Sequence, residues 1–203
     1  MLYTETVLPD TLELLKNIQS LDEFSEVRLV GGTALALQIG HRKSIDLDFF
    51  GKIDIDIEEL AHIFSQFADV QPISSSRMMK FLHVNGIKVD IVNYPYSWID
   101  NPIIENGITL AGPKDIAAMK LSAIANRGAR KDFIDCHFLL KQFTLKEMIE
   151  FYKAKYSETQ IFTILKSLTY FDDAENEPMP YMLHSLEWDE VKKHIMASVR
   201  SLL

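Results

Sequence analysis

The stretch VGGTALALQIGHRKSIDLDFF, residues 30–50, decides the fold, because it places a glycine pair, a short helix and an acidic strand in direct succession. The preceding letters EVRLV predict a strand that ends at the Gly31-Gly32 pair. The letters TALALQI have the alanine and leucine content of a helix, and Gly40 is typical of the residue that ends one. In SIDLDFF, residues 44–50, polar and apolar residues alternate with the period of a strand. The expected order is therefore strand, glycine turn, helix and strand.

Two aspartates occupy alternate positions of this acidic strand. Residues i and i+2 of a strand point to the same face, so Asp46 and Asp48 would project together. Ile45, Leu47 and Phe49 would then face the opposite side. Because close carboxylates repel each other, such a pair needs either a metal ion or a basic side chain beside it. Oxygen ligands of this kind favour Mg²⁺ or Mn²⁺.

A third carboxylate, Asp90, lies in the middle of IKVDIVNY, residues 87–94. This segment follows MKFLHV, residues 79–84, and the intervening Asn85-Gly86 predicts a hairpin, since both central residues of its turn need positive φ. Three carboxylates on one sheet can hold two divalent ions, the arrangement that serves phosphoryl or nucleotidyl transfer.

The glycine pair and the acidic pair each have a second, plainer interpretation. Glycines at a strand end let backbone N–H groups approach a phosphate, and a helix N-terminus with the Thr33 hydroxyl would add to such a site. The Gly31-Gly32 pair is equally compatible with an ordinary tight turn. The acidic pair, in its plainer interpretation, would face solvent at a sheet edge beside Arg42 and Lys43.

A basic residue, Lys120, lies on an otherwise apolar helix face in the second half of the chain. PKDIAAMKLSAIANR begins with Pro113 and ends before Gly128, which predicts a helix. Lys120 shares a face of this helix with apolar residues such as Ile116. Its ammonium group would either extend to water or reach an anion, with Arg127 further along the same face.

The chain after about residue 112 is almost purely helical in pattern, whereas the front half mixes strands with amphipathic helices over residues 9–19 and 57–67. Helix N-termini are expected from capping residues, namely the pairs Thr144 with Glu147 and Ser157 with Gln160, and the single residue Ser185. We therefore expect two domains, an α+β lobe over residues 1–110 and a helical lobe over residues 111–203.

The overall composition argues against several classes of protein. A net charge of −8 disfavours a protein that coats nucleic acid non-specifically, because such proteins need a basic surface. The single cysteine, Cys136, has no partner within the chain for a disulfide. No apolar run approaches the roughly 20 residues of a membrane helix, and the N-terminus lacks the features of a signal peptide. We therefore expect a cytoplasmic protein without a membrane partner.

These elements, in this order, resemble the motifs of the AbiEii/AbiGii toxin family, which are nucleotidyltransferases of the polymerase-β-like superfamily. The resemblance runs from about residue 28 to residue 140 and rests on four motifs. The matching residues are Gly31, Gly32 and Thr33 followed by Arg42, Ser44, Asp46 and Asp48; then Asp90; then Lys120 and Arg127; and last Lys131, Asp132 and Asp135.

The resemblance implies the polymerase-β-like nucleotidyltransferase fold, an α+β structure with a short mixed sheet flanked by helices and a helical C-terminal lobe. It also implies a metal-dependent enzyme that moves an NMP from an NTP to an acceptor hydroxyl, with tRNA or a protein as candidate acceptors. A toxin of this family would have a cognate antitoxin as partner. The alternatives are a non-catalytic nucleotide-binding regulatory domain and a helical interaction protein.

The resemblance also assigns roles to the motif residues. Mg²⁺ or Mn²⁺ would bind to Asp46, Asp48 and Asp90. The nucleotide would contact Gly31, Gly32, Thr33, Arg42, Ser44, Lys120, Arg127 and Lys131. Lys120 would also offset the charge that builds on the leaving pyrophosphate. Asp132 would either accept a proton or hold Lys131 in place, while Asp135 would be structural and face Lys131 at helical spacing.

Overall fold

The strands and helices described here are those of a computed structural model, which describes residues 1–156 and 161–202. The strands are β1 (Val27–Leu29), β2 (Leu47–Gly51), β3 (Val70–Ser75), β4 (Met79–Val84), β5 (Ile87–Asn93), β6 (Ile103–Glu105) and β7 (Ile108–Leu110). The α-helices are α1 (Pro9–Gln19), α2 (Gly31–Ile39), α3 (Ile57–Phe64), α4 (Pro113–Asn126), α5 (Arg130–Leu139), α6 (Leu145–Lys155), α7 (Ile161–Leu168) and α8 (Trp188–Arg200). Among these helices, none is long and apolar enough to cross a membrane.

The strands form one mixed sheet in the order β3-β4-β5-β2-β1-β7-β6. β2 is parallel to β5 and β1 is parallel to β7, while the other neighbouring strands are antiparallel. Parallel neighbours need a long connection, and α3 with the β3-β4 hairpin supplies it between β2 and β5. The predicted α+β class with a mixed sheet is therefore confirmed, and β2 lies in the middle of that sheet.

The chain forms two compact units. The first consists of Met1–Gly40, Ser44–Pro95 and Pro102–Ala111, and it contains the whole sheet. The second consists of His41–Lys43, Tyr96–Asn101 and the chain from Gly112 onward. Two short segments from the front half thus belong with the later helices. The predicted division into domains at residues 1–110 and 111–203 stays a prediction.

Apolar side chains of neighbouring strands build the core of the first unit. Leu47 and Phe49 on β2 are fully buried, as are Val89 and Ile91 on β5. Since these residues alternate with the polar residues of the same strands, one face of the sheet is packed and the aspartates lie on the other. The alternation in the sequence of these strands therefore matches the two faces of the sheet.

Two turn predictions in the first unit are confirmed. Gly40 ends α2 with φ of 67°, in the left-handed region where glycine is favoured. Asn85 and Gly86 connect β4 to β5 with φ of 50° and 75°, the turn type that joins adjacent antiparallel strands directly.

The acidic strand begins later than its sequence predicts. We expected it to span residues 44–50 with Ile45 facing the core, but β2 begins at Leu47 and Ile45 is 63% exposed. The reason is that the preceding backbone groups have other partners. Ser44 N–H donates to the carbonyl of Thr6, and the carbonyl of Asp46 accepts from a side chain of α2. These groups are therefore not used in a strand ladder.

Capping residues of the second unit are predicted with mixed success. Thr144 and Glu147 form the expected capping box at the start of α6. Ser185 does not cap α8, which begins at Trp188 without a side-chain cap. The predicted pair Ser157 and Gln160 lies outside the described residues.

Cys136 lies on α5 in the interior of the second unit and is fully buried. Burial, together with the negative charge of neighbouring Asp135, raises the pKa of its thiol to about 12. A thiol with such a pKa is almost entirely protonated at neutral pH, and it packs as a small apolar group rather than acting as a nucleophile.

The capping box supports a test of stability. Replacing Thr144 by Ala is expected to lower the free energy of unfolding by about 1 kcal/mol, because the Thr144 hydroxyl accepts from Glu147 N–H at 3.3 Å and donates to the Glu147 carboxylate at 2.8 Å. Lys146→Ala, at an exposed position in the same helical turn, is the control and should change the free energy by less than about 0.5 kcal/mol. Urea unfolding curves measure both, and equal midpoints for the two variants would contradict the expectation.

Candidate active site

Two of the predicted aspartates are paired in register on the face of the sheet opposite the apolar core. The parallel pairing of β2 with β5 sets Asp48 opposite Asp90. Residues that are paired in register on adjacent strands point to the same face. The Asp90 side chain is only 14% exposed, so the carboxylates meet where water screens their repulsion poorly. This pair is the centre of the candidate site.

The third predicted ligand, Asp46, lies just before β2 and outside the strand ladder. Its carbonyl accepts a hydrogen bond from the buried Thr33 hydroxyl, which lies 2.8 Å from the Ser44 hydroxyl. Because a carbonyl can only accept, Thr33 gives its proton to Asp46 and accepts one from Ser44. Both hydroxyls, which we expected to contact the nucleotide, are therefore engaged within the protein. They hold the segment that carries Asp46 against the start of α2.

Gly31 lies against the carboxylate of Asp48. Its φ of 69° falls in the left-handed region, and a Cβ atom at this position would overlap Oδ2 of Asp48. A residue with a side chain would meet both a steric clash and backbone strain there. The first glycine of the motif is thus needed for close approach of the start of α2 to the acidic pair.

Lys88 is a site residue that the sequence analysis missed. It lies two residues before Asp90 on β5, and its Nζ donates to Oδ2 of Asp90 at 2.6 Å. Partial burial alone would lower the pKa of Lys88, but the hydrogen bond and charge of Asp90, followed by the charges of Asp48 and Asp46, raise it. The i, i+2 spacing of Lys88 and Asp90 in a strand could have revealed this pair, because such residues share a face.

The carboxylate pair fits a divalent cation in two respects. Oδ1 of Asp90 is a buried oxygen without a hydrogen-bond partner among the described residues. Such atoms are rare in proteins unless a bound water or ion interacts with them. The donors are carboxylate oxygens, which Mg²⁺ and Mn²⁺ prefer.

The expected cage of three carboxylates is not preformed. Over residues 1–156 and 161–202, no three His, Cys, Asp or Glu side chains are gathered as a metal site. Asp48 and Asp90 are paired in register, whereas Asp46 precedes the strand and lies outside that register, although its charge still acts on Lys88 beside Asp90. The expected place of Asp46 as a third ligand stays a prediction, although the strand itself begins later than its alternation suggested.

A separate cluster of buried charges surrounds Asp135 in the second unit. Arg42 donates from Nε and Nη2 to the two carboxylate oxygens at 2.7 and 2.9 Å. Lys120 Nζ lies 2.6 Å from Oδ2, and His41 Nε2 lies 2.8 Å from Oδ1. Burial alone would raise the pKa of Asp135, but the charges of Arg42 and Lys120 hold it well below its ordinary value. Asp135 is therefore a charged, fully bonded group.

Two expectations are corrected by this cluster. We expected Asp135 to face Lys131, but its carboxylate is bound by Arg42, Lys120 and His41. We also considered Arg42 as a surface residue, but it is 3% exposed and its guanidinium donates to Asp135. The expected contact of Arg42 with the nucleotide stays a prediction. The sequence separation of the pair, 93 residues, left no local pattern from which to predict it.

Asp132 extends the same cluster. It accepts from Lys120 Nζ at 3.0 Å and from Arg127 Nε and Nη2 at 2.7 and 2.9 Å. Burial would raise the pKa of Asp132, but the charges and hydrogen bonds of Lys120 and Arg127 outweigh it and lower the pKa. A carboxylate held in this way is a poor proton acceptor. Of its two expected roles, the structure favours holding a basic side chain, with Lys120 and Arg127 in place of Lys131.

The cluster combines three basic side chains with two carboxylates. Arg42, Lys120 and Arg127 supply three cations against the two carboxylates of Asp132 and Asp135. Burial lowers the pKa of neighbouring His41, so its ring adds no charge at neutral pH. The cluster reaches solvent at Arg127, whose side chain is 57% exposed.

Comparisons of the sequence identify relatives along nearly the whole chain. The model of a family described as "Nucleotidyl transferase AbiEii toxin, Type IV TA system" matches residues 13–201. A protein of Aquifex aeolicus is 36% identical over 201 residues, which cover 94% of this chain and 95% of that protein.

Comparisons of the structure identify similar folds. JHP933 from Helicobacter pylori has a TM-score of 0.59 at 18% identity, and the match covers 100% of this chain and 93% of that one. The nucleotidyltransferase toxin MenT4 from Mycobacterium tuberculosis has a TM-score of 0.61 at 13% identity, with 94% of this chain and 81% of that one covered. At these identities the likeness shows a shared fold.

Proposed function

Because the chain belongs to the AbiEii family of nucleotidyltransferase toxins of type IV toxin–antitoxin systems, we propose that it moves an NMP from an NTP to an acceptor hydroxyl in a reaction dependent on Mg²⁺ or Mn²⁺. The observation that carries this proposal is the register that sets Asp48 opposite Asp90 on one face of the sheet. Two facing carboxylates of low exposure have a clear use in a nucleotidyltransferase, since they can bind the cation that accompanies the triphosphate.

We propose that Asp48 and Asp90 hold the divalent ion, and that Asp46 joins them from the segment before β2. A bound divalent ion at this place would neutralise charge on the triphosphate and lower the pKa of the attacking hydroxyl. The buried, unpartnered Oδ1 of Asp90 supports its role as a ligand. The hydrogen bonds between Thr33, Ser44 and the Asp46 carbonyl support a positioning role for those two hydroxyls.

The start of α2 is proposed to receive the phosphates. Gly31 and Gly32 open this helix directly beside Asp48, and the positive end of a helix dipole favours an anion. Because Gly31 has no Cβ, backbone N–H groups are open to close approach. Thr33 would act here through its contact with the Asp46 segment rather than as a direct ligand.

The charge cluster of the second unit is proposed to bind anionic groups of the substrates. Lys120 would offset charge on the leaving pyrophosphate, while the more exposed Arg127 and Lys131 would orient the nucleotide or the acceptor. Asp132 and Asp135 would serve to fix the basic side chains. Arg42, which is buried and bound to Asp135, is proposed to support Asp135.

The acceptor is proposed to be tRNA or a protein, and a cognate antitoxin is the proposed partner. The family description, which names a toxin of a toxin–antitoxin system, supports the antitoxin. The similarity in fold to the toxin MenT4 is in keeping with it. The acidic net charge of −8 means that an RNA acceptor would have to be bound at a local basic surface.

Transfer of label from each α-labelled NTP into total RNA and total protein tests the proposal. The wild type and Asp54→Asn, an exposed control in the same unit, should label one fraction in the presence of Mg²⁺. EDTA or Asp90→Asn should abolish the label. The absence of transfer from all four nucleotides, by a protein that still binds NTP, would contradict the proposed reaction.

The close approach of Gly31 to Asp48 makes a further prediction. Gly31→Ala is expected to reduce transfer by about tenfold or more, because the new Cβ would displace the Asp48 carboxylate. Gly86→Ala is the matched control, since Gly86 shares a positive φ of 75° but a Cβ there would meet no described atom within 4 Å. Both variants should lose about 1 kcal/mol of stability from backbone strain. Equal transfer by the two variants would show that contact with Asp48 is unimportant.

A further inference from the structure

We propose that Lys88 competes with the divalent ion for the acidic site. The Lys88 ammonium group binds Asp90 when no ion is present and must leave Asp90 before the ion can bind there. Lys88 would thereby weaken the affinity of the site for metal. This inference rests on the proposed function, because it takes Asp48 and Asp90 to be the metal ligands. It concerns a residue to which the family resemblance assigns no role.

The position of the ammonium group supports the inference. Nζ of Lys88 lies 2.6 Å from Oδ2 of Asp90, which is hydrogen-bond distance, so an ion bound to that oxygen and the ammonium would exclude each other. Lys88 and Asp90 are two residues apart on β5 and share the face on which Asp48 lies. The lysine is therefore directed to the acidic site by the strand itself.

The charges around Lys88 indicate why a second cation would be favoured. The ammonium supplies a single positive charge to a site where three aspartates act on it. It satisfies Oδ2 of Asp90, while Oδ1 of the same carboxylate remains buried without a partner among the described residues. A divalent ion would bring twice the charge and would accept several oxygen ligands, which one ammonium group cannot do.

The exposure of Lys88 allows the exchange. Its side chain is 47% exposed, whereas that of Asp90 is 14% exposed. A lysine has a flexible four-carbon stem and a strongly hydrated head, so Nζ can turn from Asp90 to water without a change in the strand. If the ion pair of Lys88 with Asp90 were only structural, removing the charge of Lys88 would leave the metal affinity unchanged.

Titration of the full-length protein with Mn²⁺ in the absence of nucleotide, followed by the electron paramagnetic resonance of free Mn²⁺, tests the inference. Lys88→Met is expected to bind Mn²⁺ about tenfold more tightly than the wild type, a moderate effect because water screens a half-exposed ammonium. Lys88→Arg retains the charge and should bind like the wild type. Lys16→Met removes a charge from an exposed position on α1 and should also leave the affinity unchanged.

The outcomes separate this inference from the proposed function. If Asp90→Asn abolishes Mn²⁺ binding but Lys88→Met binds like the wild type or more weakly, Lys88 is not a competitor and the metal site itself stands. If neither the wild type nor Lys88→Met binds Mn²⁺, or if Asp90→Asn binds as the wild type does, the metal assignment fails and the role of Lys88 fails with it.

Discussion

Replacing Asp48 by Asn should reduce nucleotide transfer by about 10³-fold or more while the protein remains folded. Asp48 faces Asp90 across the parallel pair of β2 and β5, and both are proposed to hold the divalent ion. Asn has nearly the same shape as Asp but no charge, so the packing against Gly31 is retained and only the electrostatic contribution is lost.

The thermal stability of Asp48→Asn provides an independent test of the role of Asp48. Asn at position 48 removes both the repulsion from Asp90 and the attraction of Lys88, so the melting temperature should stay close to that of the wild type. Asp54→Asn, at an exposed position outside the site, is the control for loss of a carboxylate. Label transfer and thermal unfolding would be measured on the same preparations. Full activity of Asp48→Asn, or a clear fall in its melting temperature, would argue that Asp48 has a structural role instead.

Replacing Asp135 by Asn is expected to lower the free energy of unfolding by about 3–5 kcal/mol. The fully buried Asp135 lies between Arg42 and Lys120, and the substitution would leave both cations buried with less compensating charge. Asp189→Asn is the matched control. Its ion pair with Lys192 on α8 is exposed and screened by water, so its loss should change the free energy of unfolding far less.

Urea unfolding of a double variant tests whether the loss arises from the buried charge. Lys120→Met removes one of the cations that Asp135→Asn leaves without a full counter-charge. The double variant should therefore lose clearly less free energy of unfolding than the two single variants lose together. Additive losses would contradict direct coupling.

The cluster also affects how an inactive Lys120 variant is interpreted, because removal of Lys120 alone leaves Asp132 and Asp135 with less positive charge. Loss of activity would then need a stability measurement beside it.

Local patterns predicted the elements that depend on local interactions. The helix over residues 9–19, the hairpin at Asn85-Gly86 and the capping box at Thr144 each depend on residues close in sequence, and each is present in the structure. The family, the fold class and the enzyme class predicted from the motif residues are also confirmed. The acceptor, the antitoxin and the metal stay predictions.

Features that depend on tertiary pairing were missed or misplaced. β3 contains Pro72 and is largely polar, while β6 and β7 have three residues each, so none has a clear strand pattern. The i, i+2 spacing places Lys88 and Asp90 on one face of β5, but that this face also carries Asp48 follows only from the pairing of β5 with β2. The clustering of Arg42 with Asp135 likewise requires the fold.

The buried thiol of Cys136 gives this protein an intrinsic reporter of its own opening. The residue follows Asp135 on α5, and neither is accessible to solvent in the native state. A thiol reagent can therefore modify the chain only in conformations that have exposed α5, so the rate of modification measures how often this helix opens. As Cys136 is the only cysteine of the chain, the measurement needs no engineered label. Slower modification on addition of a nucleotide or a partner would reveal binding that stabilises the closed form, without any assay of transfer.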